Sequence, residues 1–161
     1  MKSPNFGKRR NGLRPELVVL HYTAMRDCAS AARALCDPVR EVSAHYLISE
    51  QGQVWQLVSE DQRAWHAGVS EYVGRTKCND FSIGVEVEGC DDVPYTFAQY
   101  RALAQLSTRI MEQYPAITAS RITGHENIAP GRKTDPGPAF DWAFFHEMLA
   151  AFQDGQKVQN T

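Results

Sequence analysis

The apolar positions of this chain change their period several times, and the changes mark out an alternating order of strands and helices. Leu17-Val18-Val19-Leu20 is an unbroken apolar run leading into His21-Tyr22-Thr23. That is the pattern of a central strand buried on both faces, delivering a side chain at its carboxyl end. Residues 28–36 read as a short helix. Strand-like segments follow near 43–49 and 53–58, and the turn signal Glu50-Gln51-Gly52 between them predicts a hairpin. Residues 59–80 are rich in loop formers. Alternation of period two returns over 81–88, with Ile83, Val85 and Val87 on one face and Glu86 and Glu88 on the other.

Thr96-Phe97-Ala98-Gln99 is a capping box. It opens a helix whose apolar positions Phe97, Tyr100, Leu103, Leu106, Ile110 and Tyr114 form one core-facing stripe. A last helix is predicted after Asp141 as N-cap, burying Trp142, Phe145, Leu149 and Phe152. The expected fold is α/β, with residues 1–161 forming a single domain and a core over about residues 15–153. The arm before the core and the polar tail from Asp154 onward are expected to fray.

Composition narrows the function classes. At 161 residues, 43% hydrophobic and 22% charged, the chain can bury a substantial core. Its net charge of −2 gives no basic footprint for nucleic acid. No apolar run is long enough to cross a bilayer. The amino terminus is basic but lacks the apolar stretch of a signal peptide, so a cytoplasmic monomer is expected, or a periplasmic protein if a leader precedes this sequence. Cys28 and Cys36 lie about 12 Å apart along a helix, too far for a disulfide. The four cysteines are expected as free thiols.

The chemistry concentrates in Gly124-His125-Glu126-Asn127-Ile128-Ala129-Pro130-Gly131-Arg132-Lys133-Thr134-Asp135-Pro136-Gly137-Pro138, a segment that looks too irregular for a buried helix or strand. His125 and Asp135 are candidate ligands for a divalent metal, and imidazole with carboxylate suits zinc. Alternatively, they cap a strand and a turn. His21 at the end of the first central strand would complete three protein ligands and leave a fourth position for water. Glu86 and Glu88 on one strand face are costly unless that face opens to water or a metal. A simply solvated face is the alternative.

These segments together resemble one family. Val18-Val19-Leu20-His21-Tyr22-Thr23-Ala24, Val42-Ser43-Ala44-His45-Tyr46-Leu47-Ile48, Arg63-Ala64-Trp65-His66-Ala67-Gly68 and the stretch from Cys78 to Gly89 occur, with the loop above, in the order of the zinc-dependent N-acetylmuramoyl-L-alanine amidases. This is the amidase-2 family, which includes the T7 lysozyme type and the peptidoglycan recognition proteins. The resemblance covers roughly residues 17–142 and implies a central mixed β-sheet flanked by helices. It also implies Zn2+ held by His21, His125 and Asp135, with Glu86 as general base and acid and Lys133 stabilising the oxyanion.

For substrate contacts the resemblance suggests Tyr22, His45, Trp65, His66, Ala67, Lys77 and Arg132. The related phage type has a catalytic tyrosine where this chain has Ala44, which leaves the base role to Glu86 alone. The implied partners are muropeptides and the implied reaction is cleavage of the muramoyl–L-alanine amide. The loop through Asp141-Trp142 looks like the AmpD branch, which recycles 1,6-anhydro fragments. His21-Tyr22-Thr23-Ala24 and the short connection to His45 look more like the AmiD branch, of broader wall-facing specificity. A non-catalytic peptidoglycan-binding module is a third reading.

Overall fold

A computed structural model describes residues 1–159, with side chains through Gly155. The chain runs β1 (Phe6–Lys8), β2 (Leu17–Tyr22), α1 (Cys28–Leu35), β3 (Tyr46–Ile48), β4 (Val54–Gln56), β5 (Gln62–Ala64), β6 (Glu71–Tyr72) and β7 (Arg75–Thr76). It continues as β8 (Ser82–Val87), α2 (Phe97–Gln113), β9 (Ile122–Gly124), α3 (His125–Ile128) and α4 (Trp142–Gln159). One sheet has the order β4-β3-β8-β2-β9. Its β3, β8, β2 and β9 run parallel and β4 is the antiparallel edge, closing the hairpin expected from Glu50-Gln51-Gly52. The mixed sheet flanked by helices is the expected fold.

The two faces of the sheet are divided by the period of two. Val18, Leu20, Ile48, Ile83, Val85 and Val87 pack against Tyr100, Leu103, Leu106 and Ile110 of α2 and Phe145 and Leu149 of α4. Fully burying each such aliphatic side chain contributes about 1.5–3 kcal/mol. The opposite face is covered piecemeal. Leu47 meets Ala31 and Leu35 of α1, while Leu17 and Val19 meet Ala67, Phe81 and Ile128. At the carboxyl end of this second face stand His21 and Glu86, paired in register across β2 and β8.

Both expected helix starts are present. Thr96 Oγ1 accepts from Gln99 N–H, and Gln99 Oε1 accepts from Thr96 N–H. Asp141 Oδ1 accepts from Phe144 N–H. The four cysteines are free thiols, as expected.

Some expectations are corrected. Phe97 is 64% exposed, because the first residue of α2 precedes the turn that meets the core. The amino-terminal arm does not fray: β1 pairs antiparallel with β5, and Ser3, Asn5 and Arg9 are buried. Their polar groups donate to backbone carbonyls, Ser3 Oγ to Leu35 and Asn5 Nδ2 to Asp37 and Val42. Asp154 to Gln159, in the tail expected to fray, have helical backbone as part of α4, which leaves that expectation untested. Once a helix is running, each added residue gains a hydrogen bond without a new nucleation cost. Asn160 and Thr161 lie outside the described residues.

Candidate metal centre and active site

The 124–138 segment is more regular than its composition suggests. β9 ends at Gly124, and His125 opens the single turn of α3. A Cβ on Gly124 would lie 2.7 Å from Cδ of Pro136 and 3.3 Å from the Asp135 carbonyl oxygen. Glycine therefore permits the segment to fold back on itself, and Glu126 N–H donates to that carbonyl at 3.0 Å. The fold-back sets Asp135 beside His125, while β2 brings in His21 from the sheet.

The three side chains converge. His21 Nδ1 lies 3.0 Å from His125 Nδ1 and 2.8 Å from Asp135 Oδ2, and His125 Nδ1 is 3.0 Å from the same oxygen. All three residues are buried. Ligands at zinc bond lengths of about 2.0–2.1 Å, in a tetrahedral arrangement, stand about 3.3 Å apart. The donor set thus fits a zinc ion, and all three residues line one cleft.

Burial lowers the pKa of His21 to about 4, against the opposing pull of Asp135, so its imidazole stays neutral and able to bind metal. Burial acts to raise the pKa of Asp135, but the adjoining His125 and His21 rings outweigh it and hold the carboxyl well below the usual range. Glu86 behaves oppositely. Burial first, then the charge of Asp135, push it up to about 8, with Lys133 pulling the other way. Its Oε2 is buried without a hydrogen-bond partner. A carboxyl group so placed can both take and return a proton near neutrality.

These groups line a cleft of about 450 Å³ that also takes in Tyr22, Trp65, His66, Arg132, Lys133 and the Ala31, Ala34 and Leu35 face of α1. Tyr22 Oη is 2.7 Å from Thr134 Oγ1. Trp65 is half-buried, and Lys133 is exposed at the cleft. Arg132 Nη2 donates to the carbonyls of Ala67 and Val69.

Three candidates for substrate contact are placed elsewhere. His45 is fully buried: its Nδ1 accepts from Gly84 N–H at 3.0 Å, and Nε2 faces the Gln62 carbonyl. The side chain of Ala67 is likewise buried, and its carbonyl is taken by Arg132 and by His125 Nε2 at 3.0 Å. Lys77 is exposed but outside the cleft, in a left-handed conformation at the end of the β6–β7 hairpin. Each is held by backbone bonds that sequence spacing does not reveal. Glu88 is a brace: its two carboxylate oxygens accept from Cys28 N–H, at the start of α1, and from Glu50 N–H.

Sequence reasoning missed Asn79, Ser82 and Gly84. Asn79 Oδ1 accepts from the N–H groups of both His66 and Ala67. Ser82 Oγ is 3.0 Å from His66 Nε2. Period two places Ser82, Gly84 and Glu86 on one strand face, a signal that could have found two of the three.

The fold and this site define an α/β protein with a His-His-Asp cluster able to hold a metal ion at the carboxyl edge of its sheet. The family pattern of Amidase_2, N-acetylmuramoyl-L-alanine amidase, matches residues 11–138, and the chain belongs to that family. It is similar to the 1,6-anhydro-N-acetylmuramyl-L-alanine amidase AmpD of Enterobacter cloacae, 58% identical over 113 residues, which cover 70% of this chain and 60% of that protein. The match thus spans less than two thirds of that relative. Among solved structures, a selenomethionine AmpD derivative superposes with a TM-score of 0.85 at 43% identity, covering 92% of each chain. The E. coli amidase AmiD, in complex with the substrate anhydro-N-acetylmuramic acid-L-Ala-D-γ-Glu-L-Lys, gives a TM-score of 0.77 at 36% identity. That match covers 86% of this chain and 59% of AmiD.

Proposed function

We propose that this chain is a zinc-dependent N-acetylmuramoyl-L-alanine amidase. It hydrolyses the amide between the lactyl carbonyl of 1,6-anhydro-N-acetylmuramic acid and L-alanine in muropeptides, during cell-wall recycling in the cytoplasm. The observation that carries this reading is the convergence of His21 Nδ1, His125 Nδ1 and Asp135 Oδ2 beside the protonatable Glu86. His21, His125 and Asp135 hold the metal. Zinc there supplies an acidified water and a polarising charge for the carbonyl.

Glu86 accepts the proton of the attacking water and returns it to the leaving amine. Lys133, exposed at the cleft, offers its ammonium to the oxygen on which negative charge develops. Tyr22, Trp65 and Arg132 on the cleft wall are the groups available to sugar and stem peptide. A monomer is the working unit of this proposal.

The anhydro form is supported by the likeness to AmpD. His21-Tyr22-Thr23-Ala24 and the likeness to AmiD favour a second reading, a broad amidase acting on wall material in the periplasm. Zinc-loaded protein should be offered anhydro-muropeptides, reducing-end muropeptides and intact sacculi in parallel, with released stem peptide followed by mass spectrometry. Release from the anhydro form alone supports recycling, and comparable release from all three supports the broad amidase. No release from any of them overturns the amidase reading.

A further inference from the structure

The hydrogen bonds behind His21 start from a group that can only accept. The Cys78 carbonyl can only accept, so Ser82 Oγ, 2.7 Å away, donates its proton there. Ser82 Oγ then has lone pairs alone to offer, and His66 Nε2 at 3.0 Å supplies the proton between them. A neutral imidazole carries one N–H, so His66 Nδ1 is bare. It faces His21 Nε2 at 2.9 Å, which must carry the proton of that contact. His21 Nδ1 is left bare, and it is the atom that meets His125 and Asp135.

The next residue does the same for the other imidazole. The Ala67 carbonyl takes the Nε2 proton of His125 at 3.0 Å, leaving its Nδ1 bare as well. Two adjacent residues therefore set both histidine ligands. Asn79 Oδ1 holds that pair in place through both their N–H groups, at 3.0 and 2.8 Å. Ser82 is fully buried, and Arg9 Nη2 donates to its carbonyl at 3.0 Å. With both ring nitrogens of His66 engaged, its polar atoms are committed to this chain of bonds although its ring lines the cleft.

We propose that Ser82, acting through His66, is a positioning residue that fixes the tautomer and ring orientation of His21 so that Nδ1 is presented to the metal. The inference rests on the metal reading above. Partners behind metal-binding histidines are commonly worth about tenfold to about a hundredfold in metal affinity.

The test combines imidazole 1H–15N correlation spectra of the zinc-bound wild type with zinc dissociation constants from chelator competition for wild type, Ser82→Ala, His66→Asn and His66→Gln. The spectra should show His66 and His21 both as Nε2–H tautomers. Ser82→Ala should weaken zinc binding by about tenfold or more. Asn places a carbonyl oxygen near the Nδ1 position of histidine and Gln places its amide near Nε2. His66→Asn should therefore keep zinc affinity within about threefold of wild type, while His66→Gln falls with Ser82→Ala.

An Nδ1–H tautomer at His66, or Ser82→Ala and His66→Gln within about twofold of wild type, overturns the proposal. Should Ser82→Ala fail to fold, the wild-type spectra and the two His66 variants still decide it. Failure of the metal reading is distinguishable, because wild type itself would then bind no zinc.

Discussion

Gly84 lies directly beneath the imidazole of His66: a Cβ built on Gly84 would fall 2.4 Å from Cγ of that ring. The glycine is required by space. Gly84→Ala must push His66 aside or distort β8, at a cost of about 1–3 kcal/mol. The displaced ring also loses its place behind His21. Thermal denaturation with and without zinc should show a lower midpoint and a smaller zinc-dependent rise, since ligand stabilisation scales with affinity. A wild-type zinc response would contradict the role given to His66.

Glu86→Gln removes the proton acceptor while keeping the shape of the side chain. Turnover of anhydro-muropeptide should fall by about 10²–10⁴. Zinc content by elemental analysis should match wild type, because Glu86 is outside the ligand set. Loss of zinc in this variant would refute the assignment.

His125→Ala removes one of the three converging donors. The variant should lose both bound metal and activity. Chelation of wild type should abolish activity, and added zinc should restore it. Full zinc content in the variant would rule out His125 as a ligand.

Acid sensitivity should have a share traceable to His45. Burial, and then the neighbouring Arg9 charge, bring it from an ordinary 6.5 down to about 3 in the folded chain. Protonation would also set an N–H on Nδ1 against the Gly84 N–H that it now accepts. Above pH 6.5 both folded and unfolded chains hold it neutral, and its stabilising share is complete. As pH falls below that value the unfolded chain takes up a proton that the folded chain refuses, and stability drops by up to about 1.4 kcal/mol per pH unit. Denaturant titrations of metal-free protein between about pH 5 and about pH 7 should show a shallower loss for His45→Asn than for wild type. Equal slopes would exclude His45 as a source.

Arg9 ties the amino-terminal arm to the site. Its guanidinium donates to the carbonyls of Glu60, Asn79, Asp80 and Ser82. Arg9→Ala strands these buried acceptors and should cost at least about 2 kcal/mol in a denaturant melt. Unchanged stability would show that the arm is dispensable.

Much of this protein is legible from residue order alone. The run ending at His21, the alternation through Glu86 and the caps at Thr96 and Asp141 are local patterns, and each corresponds to the element it predicts. The convergence of His21, His125 and Asp135 was anticipated through family resemblance, since their separations of 104 and 114 residues carry no local signal. Tertiary structure alone decided which polar groups stand behind them. His66 meets Ser82, Asn79 holds two backbone N–H groups, and Arg9 reaches a carbonyl 73 residues away. It also withdrew His45 and Ala67 from the cleft and left Lys77 outside it. The physical reason is that periodicity reports which face a side chain takes within its own element. Hydrogen bonds between buried polar groups depend on how separate elements approach, and chain closure over such distances leaves no trace in neighbouring residues.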